Sequence, residues 1–264
     1  MNDNWRAGDA YERYMGRWSR PIARSFVSWL GVPNGARWLD VGCGTGALTS
    51  AICNLAEPAS VIACDPSQPF VSYAKATLVD PRVTFMAVDA EHLPESAEPA
   101  DVVVSGLVLN FLSDPLRAVR AMGECARQDS IIAAYVWDYQ EGMEFLRVFW
   151  DAATALDPAA EGVDEGRRFP LCRPEALGAL FAQAGLREIR AGWLEVTTSF
   201  ANFDDFWIPF LSGTGPGPSY VAGLSQERRG TLQARLSARL NAEGDGRIAL
   251  KGRAWTVAGR VSTK

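Results

Sequence analysis

Residues Trp38–Gly46 read WLDVGCGTG: a short apolar run, an aspartate, and then three glycines at every second position. The run ARWLDV, Ala36–Val41, has the apolar and aromatic content of a buried strand. Gly42, Gly44 and Gly46 let the backbone behind it turn sharply and approach a bound molecule closely. A loop of this kind that opens a helix commonly holds a phosphate. The spacing here is D-x-G-x-G-x-G, however, and not the G-x-G-x-x-G of a dinucleotide fold. Asp40 also sets a carboxylate where a pyrophosphate would sit. Two negative charges about 4 Å apart repel by roughly 1–4 kcal/mol even when partly screened. The loop therefore favours a ligand that has no phosphates and carries a cationic head.

On either side of this loop strands and helices alternate. SVIACD (Ser60–Asp65), RVTFMAVD (Arg82–Asp89), ADVVVSG (Ala100–Gly106) and SIIAAYVW (Ser130–Trp137) read as strands. The unbroken apolar run of the third suits a strand covered on both faces. Between them Thr45–Ala56 and Ser67–Leu78 read as helices, and Asp114 caps another with Pro115 at its first position. Such alternation implies an α/β, doubly wound, mostly parallel sheet. In front, Tyr11, Tyr14, Met15 and Trp18 share one face of a helix over residues 8–18. Ser19 then caps a second helix, with Pro21 in its first turn, that runs to Leu30.

After Trp137 the rhythm changes. A helix fits Glu141–Leu156, and the acid- and glycine-rich stretch Asp157–Pro170 reads as a loop. Arg173–Gly185 reads as a helix, Leu186–Phe200 as a long strand, Ser212–Ser219 (SGTGPGPS) as a flexible hinge and Ser225–Leu240 as a helix. A last alternating strand covers Arg247–Ser262. The expected organisation is one domain over 1–264, with an N-terminal helical cap at 1–34 and a cofactor-binding core at 35–138. Lid or substrate insertions are expected at 139–172 and 201–244.

The chain has 264 residues, a net charge of −5 and no basic run, which argues against nucleic acid as the main partner. Nothing in it reads as a signal peptide or a membrane span. Five dispersed cysteines with no C-x-x-C pair suggest reduced thiols and a cytoplasmic location. His92 is the sole histidine, so no metal site is expected.

The segment LDVGCGTG resembles the first motif of the class I S-adenosylmethionine-dependent methyltransferases, and further segments follow in that family's order. Asp65 in VIACDPS stands where the family's acid binds the ribose hydroxyls, with Pro66 and Ser67 beside it. Asp89, Ala90 and Glu91 in AVDAEHLP stand where the adenine is read, and Ser105 and Gly106 where the methionine part passes. The resemblance thus implies cofactor contacts from Asp40, Gly42, Cys43, Gly44, Gly46 and these later residues. It also implies a Rossmann-like seven-stranded sheet whose last strand, RIALKGRAWTVAGRV, is antiparallel. The N-terminal YERYMGRWSR is similar to methyltransferases of quinone biosynthesis and natural-product tailoring, in which a leading helix closes over the cofactor. Tyr11, Tyr14 and Arg17 are the candidates there, with Arg17 placed to pair with the methionine carboxylate.

The implied activity is methyl transfer from S-adenosylmethionine to a small organic acceptor, leaving S-adenosylhomocysteine. Late aromatics such as Phe145, Phe149, Trp150, Trp207 and Phe210 suit an apolar or aromatic acceptor as well as a core. Asn110, Tyr139 and Glu141 are candidates on the acceptor side, and His92 lies just past the adenine segment. No catalytic base is named, since the sulfonium is itself an excellent leaving group. Two other functions compete. One is a non-catalytic cofactor-binding protein with a regulatory or assembly role. The other is a nicotinamide-dependent oxidoreductase, which needs the glycine spacing this loop lacks. The carbon, oxygen or nitrogen nature of the acceptor, and the choice between monomer and dimer, stay open.

Overall fold

The long apolar stretches between glycine stops form a seven-stranded sheet. The computed structural model describes residues 12–90, 92–93, 98–213, 215–240 and 246–262. In chain order it places helix α1 at Arg17–Leu30, β1 at Arg37–Val41, α2 at Ala47–Leu55, β2 at Ser60–Cys64 and α3 at Gln68–Thr77. There follow β3 at Val83–Met86, β4 at Ala100–Gly106, α4 at Pro115–Glu124 and β5 at Ala126–Trp137. The later elements are α5 (Glu144–Leu156), α6 (Glu165–Arg168), α7 (Pro174–Gln183), β6 (Arg187–Phe200), α8 (Phe203–Trp207), α9 (Pro216–Gly223), α10 (Gln226–Leu240) and β7 (Ile248–Arg260).

The strands lie in the order β3-β2-β1-β4-β5-β7-β6. β1 pairs in parallel with β2 and β4, β2 with β3, and β4 with β5, while β7 runs antiparallel to β5. The order reverses between β1 and β4, which makes the carboxyl ends of those two strands the switch point where open α/β sheets bind ligands.

Two compact units emerge. The sheet unit comprises Ser19–Trp137, Leu171–Leu194 and the residues from Ala254 onward. The aromatic unit comprises the described residues up to Trp18, with Asp138–Pro170 and Glu195–Arg253. In the sheet unit Trp38, Val102, Val103, Val104, Ile132 and Ala133 are fully buried along the central strands. In the aromatic unit Phe149 stacks on Phe210 with ring centroids 4.3 Å apart, and Phe145 stacks on Phe210 at 4.8 Å. Each such ring pair adds about 0.5–1.5 kcal/mol beyond the area it buries.

Several local expectations change. Ser19 does not start the helix but lies inside it, because a π-helical stretch, Glu12–Gly16, runs directly into α1. Pro21 lies inside α1, in its second turn, where a proline lacks the amide that would close a helical hydrogen bond. The stretch after Asp157 is not an open loop. Asp157 accepts a hydrogen bond from the Ala159 amide at 3.0 Å and Asp164 one from the Gly166 amide at 2.8 Å. Those caps start a 3-10 turn, Pro158–Val163, and then α6. Nor is SGTGPGPS a hinge throughout, because Pro216 opens α9 and Pro216, Gly217 and Pro218 are buried. A proline preset at a helix start does this without cost.

Candidate functional site

Four chain segments leave the sheet unit at the carboxyl ends of adjacent strands. After β1 the chain bends through Gly42 (φ 77°), Gly44 (φ 52°) and Gly46 (φ 85°), all in the left-handed region that glycine tolerates. The bend is tied to β2: the amides of Gly42 and Cys43 donate to the Cys64 carbonyl at 2.7 and 2.9 Å. It is tied to Asp65 as well. The Gly44 amide donates to Asp65 Oδ2 at 3.0 Å and the Ser67 amide to Oδ1 at 2.8 Å. Each carboxylate oxygen thus keeps a lone pair, which matches a pair of vicinal hydroxyls. Burial pushes the Asp65 pKa up, against the two amides that pull it down. Ser67 accepts from the Phe70 amide and caps α3, while Pro66 is exposed.

The loop is closed on one side and open on the other. A Cβ on Gly42 would overlap the methyls of Val108, whereas a Cβ on Gly44 would meet no atom within 4 Å. The free space at Gly44, beside the Asp65 carboxylate that its amide bonds, is the candidate cradle.

Asp40, on β1 two residues before Gly42, is fully buried. Thr49, in the first turn of α2, donates to Asp40 Oδ2 at 2.6 Å, and Oδ1 has no partner. Burial raises the Asp40 pKa to about 7, with the Asp65 charge adding to the rise and Thr49 opposing it. The carboxyl is therefore a titrating group near neutrality, which corrects the fixed charge expected from its position in the motif. Cys43 is buried and burial drives its pKa far up, so it is a packing thiol.

Asp65 is bonded to the next strand through its own amide, which donates to the Met86 carbonyl at 3.2 Å. β3 ends at Met86, and Asp89 follows three residues on, half exposed, with its carboxylate 2.9 Å from His92 Nδ1. Ala90 is buried beside it. Glu91 and Tyr11 lie outside the described residues. On the other side of β1, Asp40 is in register with Val104, the residue before Ser105. Ser105 is fully buried and its Oγ has no partner. Gly106 has no room for a side chain, since a Cβ would lie 2.6 Å from the Tyr135 hydroxyl.

The N-terminal candidates belong to the aromatic unit. Tyr14 is buried, with Phe145 and Phe210 each 5.5 Å from it, and its hydroxyl has no hydrogen-bond partner. Arg17, expected to meet a ligand carboxylate, is instead bidentate on Asp205 at 2.8 and 3.2 Å, with its guanidinium 4.5 Å from the Phe200 ring centroid. Of the acceptor-side candidates, Tyr139 is buried against Phe169 in the same unit, and Glu141 is exposed beside Arg253.

Three features escaped the sequence reading, and a fourth gains weight. Thr49 has no motif signal beyond its place in the first turn of a helix. Leu107 takes a φ of 64°, a strained value for a residue with a side chain. Asn110 was named only as a candidate, yet both its amide atoms are buried and without partners. Glu165, in the stretch read as a loop, is buried in the aromatic unit and accepts a hydrogen bond from Trp150 Nε1. Burial lifts its pKa to about 7. An unpaired buried polar group costs roughly 1–3 kcal/mol, so Asn110 and Ser105 are expensive unless a ligand satisfies them. Among the described residues no cluster is placed to hold a metal ion, and no helix is long and apolar enough to cross a membrane.

Residues 39–134 match the family model described as a methyltransferase domain. The chain is 30% identical over 156 residues to a ubiquinone biosynthesis O-methyltransferase of Rhizobium etli, covering 58% of this chain and 60% of that protein. It is 28% identical over 167 residues to a malonyl-[acyl-carrier protein] O-methyltransferase of Bacillus anthracis, covering 62% and 61%. The chain thus spans about three fifths of the length of these curated relatives. A methyltransferase from an antibiotic biosynthesis pathway of Anabaena variabilis, described as putative, shares the fold with a TM-score of 0.60 at 20% identity, over 90% of this chain and 98% of that one. So does phosphoethanolamine N-methyltransferase 2 of Haemonchus contortus, solved with phosphomonomethylethanolamine and S-adenosylhomocysteine, at 0.60 and 15%, over 97% and 57%. Residues 39–134 thus carry a methyltransferase-domain match, on a fold shared with solved methyltransferases.

Proposed function

We propose that this chain transfers the methyl group of S-adenosylmethionine to a small organic acceptor by in-line displacement. One observation carries the proposal: the cradle above Gly44, in which Asp65 is fixed by two backbone amides yet keeps a lone pair on each oxygen. Asp65 is assigned to the ribose hydroxyls, Asp89 and Ala90 to the adenine edge, and the Gly42–Gly46 backbone with Ser105 and Gly106 to the amino-acid part. When bound, the cofactor supplies a methyl group already activated by its sulfonium. The chain's work is then to hold the acceptor in line with that methyl and to exclude water. Asp40, buried and titrating near neutrality, supplies negative charge beneath a cationic head once ionised.

An oxygen acceptor is favoured by the two O-methyltransferase relatives, and the abundance of aromatic residues in the sequence suits an apolar or aromatic molecule. The five free cysteines fit a cytoplasmic setting. The proposal does not fix the number of protomers.

Calorimetric titration with S-adenosylhomocysteine tests the assignment. Asp65→Ala is expected to weaken binding at least tenfold, which is about 1.4 kcal/mol. Unchanged binding in that variant would remove the ribose from Asp65.

A further inference from the structure

The segment that follows β4 carries a second, unassigned feature. Leu107 is held in the left-handed region at φ 64°, and its amide donates to the Tyr135 carbonyl at 2.8 Å. That sharp bend brings Val108 down onto the glycine loop, where its methyls fill the place of a Gly42 side chain. Two residues later, on the 3-10 turn Leu109–Phe111, Asn110 has Oδ1 and Nδ2 both buried, and neither has a hydrogen-bond partner. A strained bend and an unsatisfied amide within four residues, flanking Val108 where it packs on the glycine loop, are costs a fold keeps when a ligand repays them.

We propose that the Asn110 carboxamide is the acceptor-binding group of this site and selects an acceptor that presents a hydroxyl. The inference rests on the methyltransferase reading of the cradle. A carboxamide offers one acceptor oxygen and one donor nitrogen side by side. A hydroxyl is the complementary group, since it donates to Oδ1 and accepts from Nδ2 through one oxygen atom. The amino-acid end of the cofactor is a poorer match, because its ammonium only donates, its carboxylate only accepts, and a neutral amide offsets neither charge. Asn110 cannot remove the hydroxyl proton. Its role is to orient the oxygen, and so to decide which acceptors react.

The test uses the whole chain and begins with S-adenosylhomocysteine binding by the parent protein, whose failure would sink the methyltransferase reading itself. Asn110→Leu replaces the amide by an apolar group of similar shape, and its unliganded form is expected to melt about 2–4 °C higher than the parent. Its affinity for S-adenosylhomocysteine is expected to stay within about twofold of the parent's, a split that a merely structural residue would not show. In the 15N-labelled parent saturated with S-adenosylhomocysteine, phenol is expected to shift the Asn110 side-chain amide resonance. That resonance is assigned by its loss in Asn110→Leu or, should that variant not fold, in Asn110→Asp. A lower melting temperature in Asn110→Leu would assign the amide to the fold. A tenfold loss of S-adenosylhomocysteine affinity would assign it to the cofactor. An amide resonance that phenol leaves in place would rule out the hydroxyl. Each of these results overturns the proposal.

Discussion

Asp40 holds its carboxyl away from solvent, with Thr49 on one oxygen and nothing on the other. Its pKa rises from 3.8 to about 7 because burial disfavours the charged form. The sign of the linkage follows. Below the ordinary value both folded and unfolded chains are protonated, and no penalty arises. Between that value and about 7 the unfolded chain ionises while the folded one does not, so stability falls as pH rises. Above about 7 the loss is complete and amounts to a few kcal/mol, at roughly 1.4 kcal/mol per pH unit. Glu165 acts in the same direction from 4.5 to about 7. Melting curves of the parent between pH 5 and 8, compared with Asp40→Asn, are expected to show a shallower decline in the variant. Equal slopes would mean that Asp40 does not titrate there. A cation seated above Asp40 favours its ionised form, so affinity for S-adenosylmethionine is expected to rise over the same range more than affinity for S-adenosylhomocysteine.

Gly42 and Gly44 make a second contrast at this scale. Both have positive φ, but only Gly42 is crowded, by Val108. Gly42→Ala combines a left-handed penalty of about 1–2 kcal/mol with overpacking of about 1–3 kcal/mol, and its melting temperature should drop accordingly. Gly44→Ala should lose only the first contribution while abolishing S-adenosylhomocysteine binding, because its methyl fills the cradle. A variant at Gly44 that binds normally would show that the ligand does not approach this backbone. The glycines and Asp65 were readable because a strand, a turn and an acid at fixed offsets leave a local pattern. The neutral-range titration of Asp40 was not, because it depends on burial. Nor was the Arg17–Asp205 pair, whose partners are 188 positions apart.

At the scale of elements, local chemistry decided most boundaries. Asp114 caps α4 through the Arg117 amide at 2.9 Å, as its place before Pro115 implied. Asp114→Ala should cost about 1 kcal/mol, visible as a lower melting temperature. The elements that were missed share one cause. In Asp157–Pro170 and Ser212–Ser219, acids, glycines and prolines were read as loop formers, yet the acids cap and the prolines start short helices. Burial stabilises those helices, and no local pattern records it. Within the aromatic unit the Arg147–Asp164 pair links α5 to the start of α6, with Asp164 almost buried. Arg147→Leu leaves that carboxylate without its cation, at an expected cost of about 3–5 kcal/mol in chemical denaturation. A loss below about 1 kcal/mol would place the pair among weak surface bridges.

For the molecule as a whole, the alternation of strands and helices around WLDVGCGTG was enough to anticipate the seven-stranded sheet and its antiparallel final strand. The order of β6 and β7 at the sheet's far end was not legible, because pairing between distant segments leaves no spacing to read. The division into two units was likewise hidden, since each is assembled from three separate stretches of chain. Charge and size gave only exclusions, and the acceptor had to be approached through the turn Leu109–Phe111, where both amide atoms of Asn110 are buried and unpaired. The methyltransferase proposal depends most on where a nucleoside sits in the sheet unit. A crystal structure of the complex with S-adenosylhomocysteine measures this directly. The ribose hydroxyls are expected within hydrogen-bond distance of the Asp65 carboxylate, with the amino-acid part lying over Gly44. A nucleoside bound away from Asp65, or a crystal that excludes it while admitting NAD at the same loop, would contradict the proposed chemistry.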